Sequence, residues 1–131
     1  MSEPEIYPPE IYPPEIYPPE IYMVLDAVDI DLVADFWAEA LQYRRVDRLD
    51  QYDVLVPPEG KPGPVLLVQG VADGKVTKNR MHLDLHVDDP QAEVDRLVAL
   101  GATRTGEGSL GEISWICMQD PESNEFDIGQ R

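Results

Sequence analysis

From residue 23 onward the chain runs through one order of hydrophobic patterns twice: a short strand, a helix, then three strands. Met23 to Val28 alternates as a strand does, and Asp29 or Asp31 can cap a helix whose Leu32, Val33, Phe36, Trp37, Ala40 and Leu41 form one stripe. Strand candidates follow around Val46, at Asp53 to Val56 and from Pro64 to Gln69. The second pass opens with Arg80 to Val87. Asp89 then caps a helix with Pro90 at its first position, Val94, Leu97 and Val98 facing inward and Gly101 beyond its end. Strands are expected near Ala102 to Thr105, Ile113 to Gln119 and Glu125 to Ile128. A shift of 58 positions superposes Met23 on Met81, Leu25 on Leu83, Asp26 on Asp84, Asp31 on Asp89 and Ala34 on Ala92. The expected fold is therefore α+β, with a βαβββ module at about 22–70 and another at about 80–130.

Residues 1–21 stand apart from this plan. Glu-Ile-Tyr-Pro-Pro occurs three times from Glu5 and ends in a fourth Glu20-Ile21-Tyr22. Paired prolines cannot donate backbone hydrogen bonds, so the segment reads as an extended, polyproline-like tail ahead of a domain at 22–131. Ile and Tyr every five residues could anchor such a tail in a groove, which makes tail-mediated self-association or docking one functional expectation.

Charge narrows the partners. The formal net charge of −16 excludes the concentrated basic surface that a nucleic-acid partner needs and weakly favours cationic ligands. No apolar run approaches a membrane span, and the N-terminus lacks the basic start and apolar core of a signal peptide. The single cysteine, Cys117, lies in the apolar run Ile113 to Met118; it reads as a small buried hydrophobe and fits a reducing cytoplasm. Serine-triad, phosphate-loop and paired-cysteine patterns are missing from the sequence.

The stretch Met81 to Pro90 carries the most chemistry. Strict alternation places Leu83, Leu85 and Val87 on one strand face and His82, Asp84 and His86 on the other. Parity puts Asp127 with Glu125 on one face of the last strand, and Trp115 with Cys117 and Gln119 on another, where Trp115 could wall a pocket. A carboxylate in a partly dry cleft can act as general base, and Asp84 is the candidate for that role. Its match to Asp26 under the 58-residue shift gives it an architectural reading as well.

These elements, in this order, resemble the glyoxalase-like, vicinal-oxygen-chelate superfamily, which includes bleomycin resistance proteins, over about residues 22–129. The resemblance is carried by Leu25-Asp26 with Asp35-Phe36-Trp37-Ala38, by Lys78 to Asp84, by Leu97 to Ala102, and by Trp115 through Asp120-Pro121-Glu122-Ser123-Asn124-Glu125-Phe126-Asp127. It implies that the two modules form a half-open, barrel-like mixed sheet with the helices outside, a small organic ligand in a cleft between them, and a homodimer. Metal-dependent relatives take one ligand from the first and one from the last strand of each module. His82 and Asp127 match two of these positions, the first-module matches fall near Tyr22 to Val24 and near Leu67 or Gln69, and only Gln69 could assist. The expectation is thus a ligand-binding protein without a firmly held metal, contacted by His82, His86, Trp115 and Gln69. The alternative is a lyase, isomerase or dioxygenase with a divalent ion on His82 and Asp127.

Overall fold

The computed structural model describes residues 21–131; apart from Ile21, the expected tail lies outside the described residues. The first module comprises β1 (Tyr22–Ala27), α1 (Ile30–Leu41), β2 (Arg44–Leu49), β3 (Tyr52–Val56) and β4 (Val65–Gly70). The second comprises β5 (Leu83–Val87), α2 (Pro90–Ala99), β6 (Thr103–Leu110), β7 (Ile113–Gln119) and β8 (Glu125–Gln130). Each module folds its strands into a four-stranded mixed sheet, ordered β1-β4-β3-β2 and β5-β8-β7-β6. In both, the first strand runs parallel to the last and the other pairings are antiparallel. Among the described residues no helix is long and apolar enough to cross a membrane.

The helix caps set the frame of the repeat. Asp29 accepts the Leu32 N–H and Asp89 the Ala92 N–H, each at 3.1 Å, so equivalent residues lie 60 apart. The strand ends agree: Val71 N–H donates to the Ala27 carbonyl as Arg131 N–H does to that of Val87. This corrects the 58-residue superposition. A slip of two residues preserves strand parity, so hydrophobic alternation cannot detect it, whereas a cap can occupy only one position. In the true frame Tyr22 is equivalent to His82, Val24 to Asp84, Asp26 to His86, Leu67 to Asp127 and Gln69 to Gly129. Asp26 is therefore not the twin of Asp84.

The strands differ from expectation at their ends. β5 starts at Leu83, leaving His82 just outside it, and β6 extends to Leu110 through a segment that had read as loop. Alternate residues of each sheet face its helix and close one core that includes Leu55, Leu66 and Val68 from the first module and Met118, Phe126 and Ile128 from the second. Trp37 joins the halves. Its ring packs edge-on to Phe126 at 5.0 Å and to Phe36 at 5.2 Å, geometries favoured by the aromatic quadrupole. Its Nε1 donates to Asp120 Oδ2 at 2.9 Å, and both residues are buried.

Asp120 organises the turn between β7 and β8. It also accepts the Glu122 and Asn124 N–H groups and the Asn124 side-chain amide, each at 2.9 Å. The neighbouring Glu122 accepts Val28 N–H at 2.8 Å and Asp29 N–H at 2.7 Å, fastening the turn to the start of α1. Asp120→Ala strands several buried donors at once, and a single stranded donor costs about 1–3 kcal/mol. The expected loss is about 3 kcal/mol, measured by urea unfolding; a change within about 0.5 kcal/mol, the range of ordinary surface substitutions, would contradict this role for the turn.

Candidate functional site

The helix-free faces of the two sheets share their strand pairing and differ in chemistry. Sheet one exposes or half-exposes Tyr22, Val24, Val54, Val65 and Leu67, with Asp26 beside Gln69 at one end and Arg44 and Asp47 of β2 along the edge. The equivalent surface of sheet two carries His82, Asp84, His86, Trp115, Cys117, Glu125 and Asp127 around a cavity of about 1000 Å³. Every residue lining that cavity lies between 78 and 130. This concavity therefore lies on the second sheet, with Lys78 and His82 of the preceding connector at its edge, and not in the expected cleft between two modules. A smaller groove of about 210 Å³ does run between the modules, from Tyr22, Val24 and Trp37 to Met81 and Leu83, and His82 and Glu125 line both spaces.

Parallel pairing of β5 with β8 sets Asp84 directly beside Asp127. His82, two residues before Asp84, turns its ring onto both: Nε2 lies 3.1 Å from Asp84 Oδ1 and 3.3 Å from Asp127 Oδ2. One ligand atom from each of the three residues lies within 4.8 Å of the others. A neutral imidazole and two carboxylates at this spacing fit one divalent cation, and three protein donors with an open remainder is the pattern of catalytic metal sites. The first module offers Tyr22, Val24 and Leu67 at the equivalent places, so the donor set is complete within module two or not at all. Gln69 is on β4 of the other sheet, opposite Asp26 and Tyr52, and lines neither space around His82.

The remaining sequence candidates all face the cavity. His86 lies over Gly129, where an added Cβ would stand 3.5 Å from its Nε2. Trp115 forms a wall across from Gly108 of β6, and Cys117 is the neighbour of Asp127 across the β7–β8 pair. Burial pushes the Cys117 thiol up, and the adjacent Asp127 carboxylate adds to the rise, which agrees with a protonated packing residue.

Glu107 and Glu112 also line the cavity without a signal in the sequence, as does Lys78, which there only opens a segment that carries the resemblance. The first two lie on and beside the β6–β7 hairpin. Gly106 and Gly108 interrupt apolar alternation there, so β6 beyond Thr105 carried no strand signal. Glu125 is engaged by Lys75 Nζ at 2.7 Å and by Asn79 N–H at 2.9 Å. Burial works to raise its pKa, but these two partners outweigh it and hold the carboxyl below its ordinary range.

Close packing of Trp115 on Gly108 gives a direct test of the wall. A Cβ at residue 108 would lie 2.5 Å from the indole carbons Cε2 and Cζ2, so Gly108→Ala must displace the ring. The expected outcome is a folded protein whose tryptophan fluorescence shifts, since Trp37 is buried elsewhere; an unchanged emission spectrum would contradict the packing.

A glyoxalase-like domain model matches residues 22–129. A search of curated proteins finds no sequence match. Solved structures with the same fold include a glyoxalase/bleomycin resistance protein/dioxygenase family enzyme from Burkholderia phytofirmans, at 18% identity and TM-score 0.67 over 83% of this chain and 95% of that one. The bleomycin-binding protein of Streptomyces verticillus, solved with copper(II)-bleomycin, matches at 16% identity and TM-score 0.61 over 88% and 98%. A fosfomycin resistance protein from Mesorhizobium loti matches at 12% identity and TM-score 0.67 over 88% and 94%. With its paired modules, its Asp120-centred turn and a family match spanning nearly all the described residues, the chain belongs to the glyoxalase-like domain family.

Proposed function

We propose that the protein binds a small cationic organic molecule in the cavity of its second module. One observation carries this reading: Asp84, Glu107, Glu112, Glu125 and Asp127 line a single space with the aromatic face of Trp115, and Lys78, with Lys75 on Glu125 and Arg104 on Glu107 from outside the lining, leaves Asp84, Glu112 and Asp127 in excess. Carboxylates attract a positive guest, the indole face adds about 0.5–2 kcal/mol to a cation held over it, and the volume is at the upper end for a small-molecule site. A family likeness to a bleomycin-binding protein supports a role in holding an organic molecule.

Convergence of His82, Asp84 and Asp127 favours a second reading, metal-dependent lyase, isomerase or dioxygenase chemistry. A divalent ion on these residues would supply Lewis-acid polarisation of a substrate oxygen. Asp84, more exposed than Asp127, would then be either a ligand or the general base that moves a substrate proton, but not both. The uncovered apolar face of sheet one further supports association of two copies.

The readings separate in two experiments. Benzyltrimethylammonium, titrated by isothermal calorimetry, is expected to bind about tenfold or more tightly than benzyl alcohol, a difference of about 1.4 kcal/mol, and Trp115→Ala should reduce the preference. Equal affinities would contradict the cationic guest. Metal analysis of protein purified without added ions tests the alternative: stoichiometric Mn, Fe, Ni or Zn, lost in His82→Ala, would establish the metal reading. Light scattering at micromolar concentration checks the association, with a dimer mass expected and a monomer mass contradicting it.

A further inference from the structure

Residues 71–82, which connect the modules, bring Lys78 and His82 to the cavity without belonging to either sheet. Their underside is not packed. A second concavity of about 480 Å³ lies beneath them, between residues 73–81 on one side and Val24, Asp26, Glu122 and Asn124 on the other. Val76 near the crest is 93% exposed. The connector is therefore an arch, and the contacts at its feet decide where its functional side chains stand.

Its attachment is concentrated on one residue. Among the described residues, the hydrogen bonds that tie 72–81 to the rest of the fold all end on Glu125: Oε1 accepts Lys75 Nζ at 2.7 Å and Oε2 accepts Asn79 N–H at 2.9 Å. Both charged side chains are largely withdrawn from water, at 18% and 20% exposure, so the pair is screened less than a surface ion pair. Glu125 lies on β8 two residues before Asp127, and its side chain shares the cavity face with that residue. A single short stretch of β8 thus presents one carboxylate to the cavity and uses its neighbour to hold the arch that delivers the imidazole facing it.

We propose that Glu125 is a positioning residue: by clasping Lys75 and the backbone of Asn79, it sets the places of Lys78 and His82 in the cavity. The clasp also keeps the Lys75 ammonium engaged at the rim, leaving Asp84 and Asp127 to a cationic guest. The first statement stands without any guest; only the second rests on the proposed function.

Amide hydrogen exchange and histidine side-chain NMR on the full chain test the clasp. In Lys75→Met and in Glu125→Ala, exchange across 73–82 is expected to rise about tenfold or more while the core strands keep their protection, and the His82 ring signals should shift. Glu125→Gln retains an oxygen for Asn79 N–H, so it should leave the Asn79 amide slower than Glu125→Ala does. If Glu125→Ala does not fold, Lys75→Met and Glu125→Gln decide the matter. Unchanged exchange and unchanged His82 signals in Lys75→Met would overturn the proposal. Failure of benzyltrimethylammonium to bind the wild type would overturn the guest reading and leave this result intact.

Discussion

Every functional distance in the molecule depends on the seating of Trp37. The indole crosses from α1 of the first module to Phe126 of the second, and its single polar atom is satisfied by the buried Asp120. An unpaired indole N–H in that position would carry a desolvation penalty, so packing and hydrogen bonding favour the same placement. From this junction β8 starts in a defined direction. Four acidic residues within eight positions then have four tasks: Asp120 receives Trp37, Glu122 receives the start of α1, Glu125 engages the connector, and Asp127 faces the cavity. The turn that holds the modules together is thus also the origin from which the site is measured.

Two modules with the same register have diverged in what they present. Tyr22, Val24 and Leu67 stand where the second module has His82, Asp84 and Asp127, so an acidic hollow in one sheet faces outward where the other has a largely apolar patch. Carboxylates gathered in one partly enclosed space repel one another and raise the local attraction for cations. Lys78 offsets part of that charge, and a cationic guest or a divalent ion would offset more. The apolar face opposite in kind has no comparable chemistry, and covering it would remove hydrocarbon from water at about 25 cal/mol per Å².

The architecture was legible because period two and period 3.6 are properties of the sequence itself. Alternation marked Leu83, Leu85 and Val87, the stripe from Val33 to Ala40 marked α1, and cap residues marked both helix starts. The site was legible in part. His82, Asp84, His86, Asp127 and Trp115 were visible as polar or aromatic residues on alternating faces, and all line the cavity. What failed was anything that parity cannot see. The repeat was misplaced by two residues, so Asp84 was paired with Asp26 and its contact with His82 went unnoticed. Parity alone leaves the first module's last-strand position at Leu67 or Gln69, and the strand pairing assigns it to Leu67. Gly106 and Gly108 hid the hairpin that contributes Glu107, and Glu125 depends on partners in a connector with no periodicity at all.

The proposed function places the guest on the second module, with Trp115 on one side of it and Asp84 and Asp127 on the other. A crystal structure of the full chain soaked with benzyltrimethylammonium tests that placement. Density for the guest is expected inside the second-module cavity, its ammonium over the Trp115 ring within about 6 Å of the ring centre and facing the two carboxylates. Density in the groove between the modules or on the apolar face of sheet one, with the second-module cavity holding only water, would contradict it.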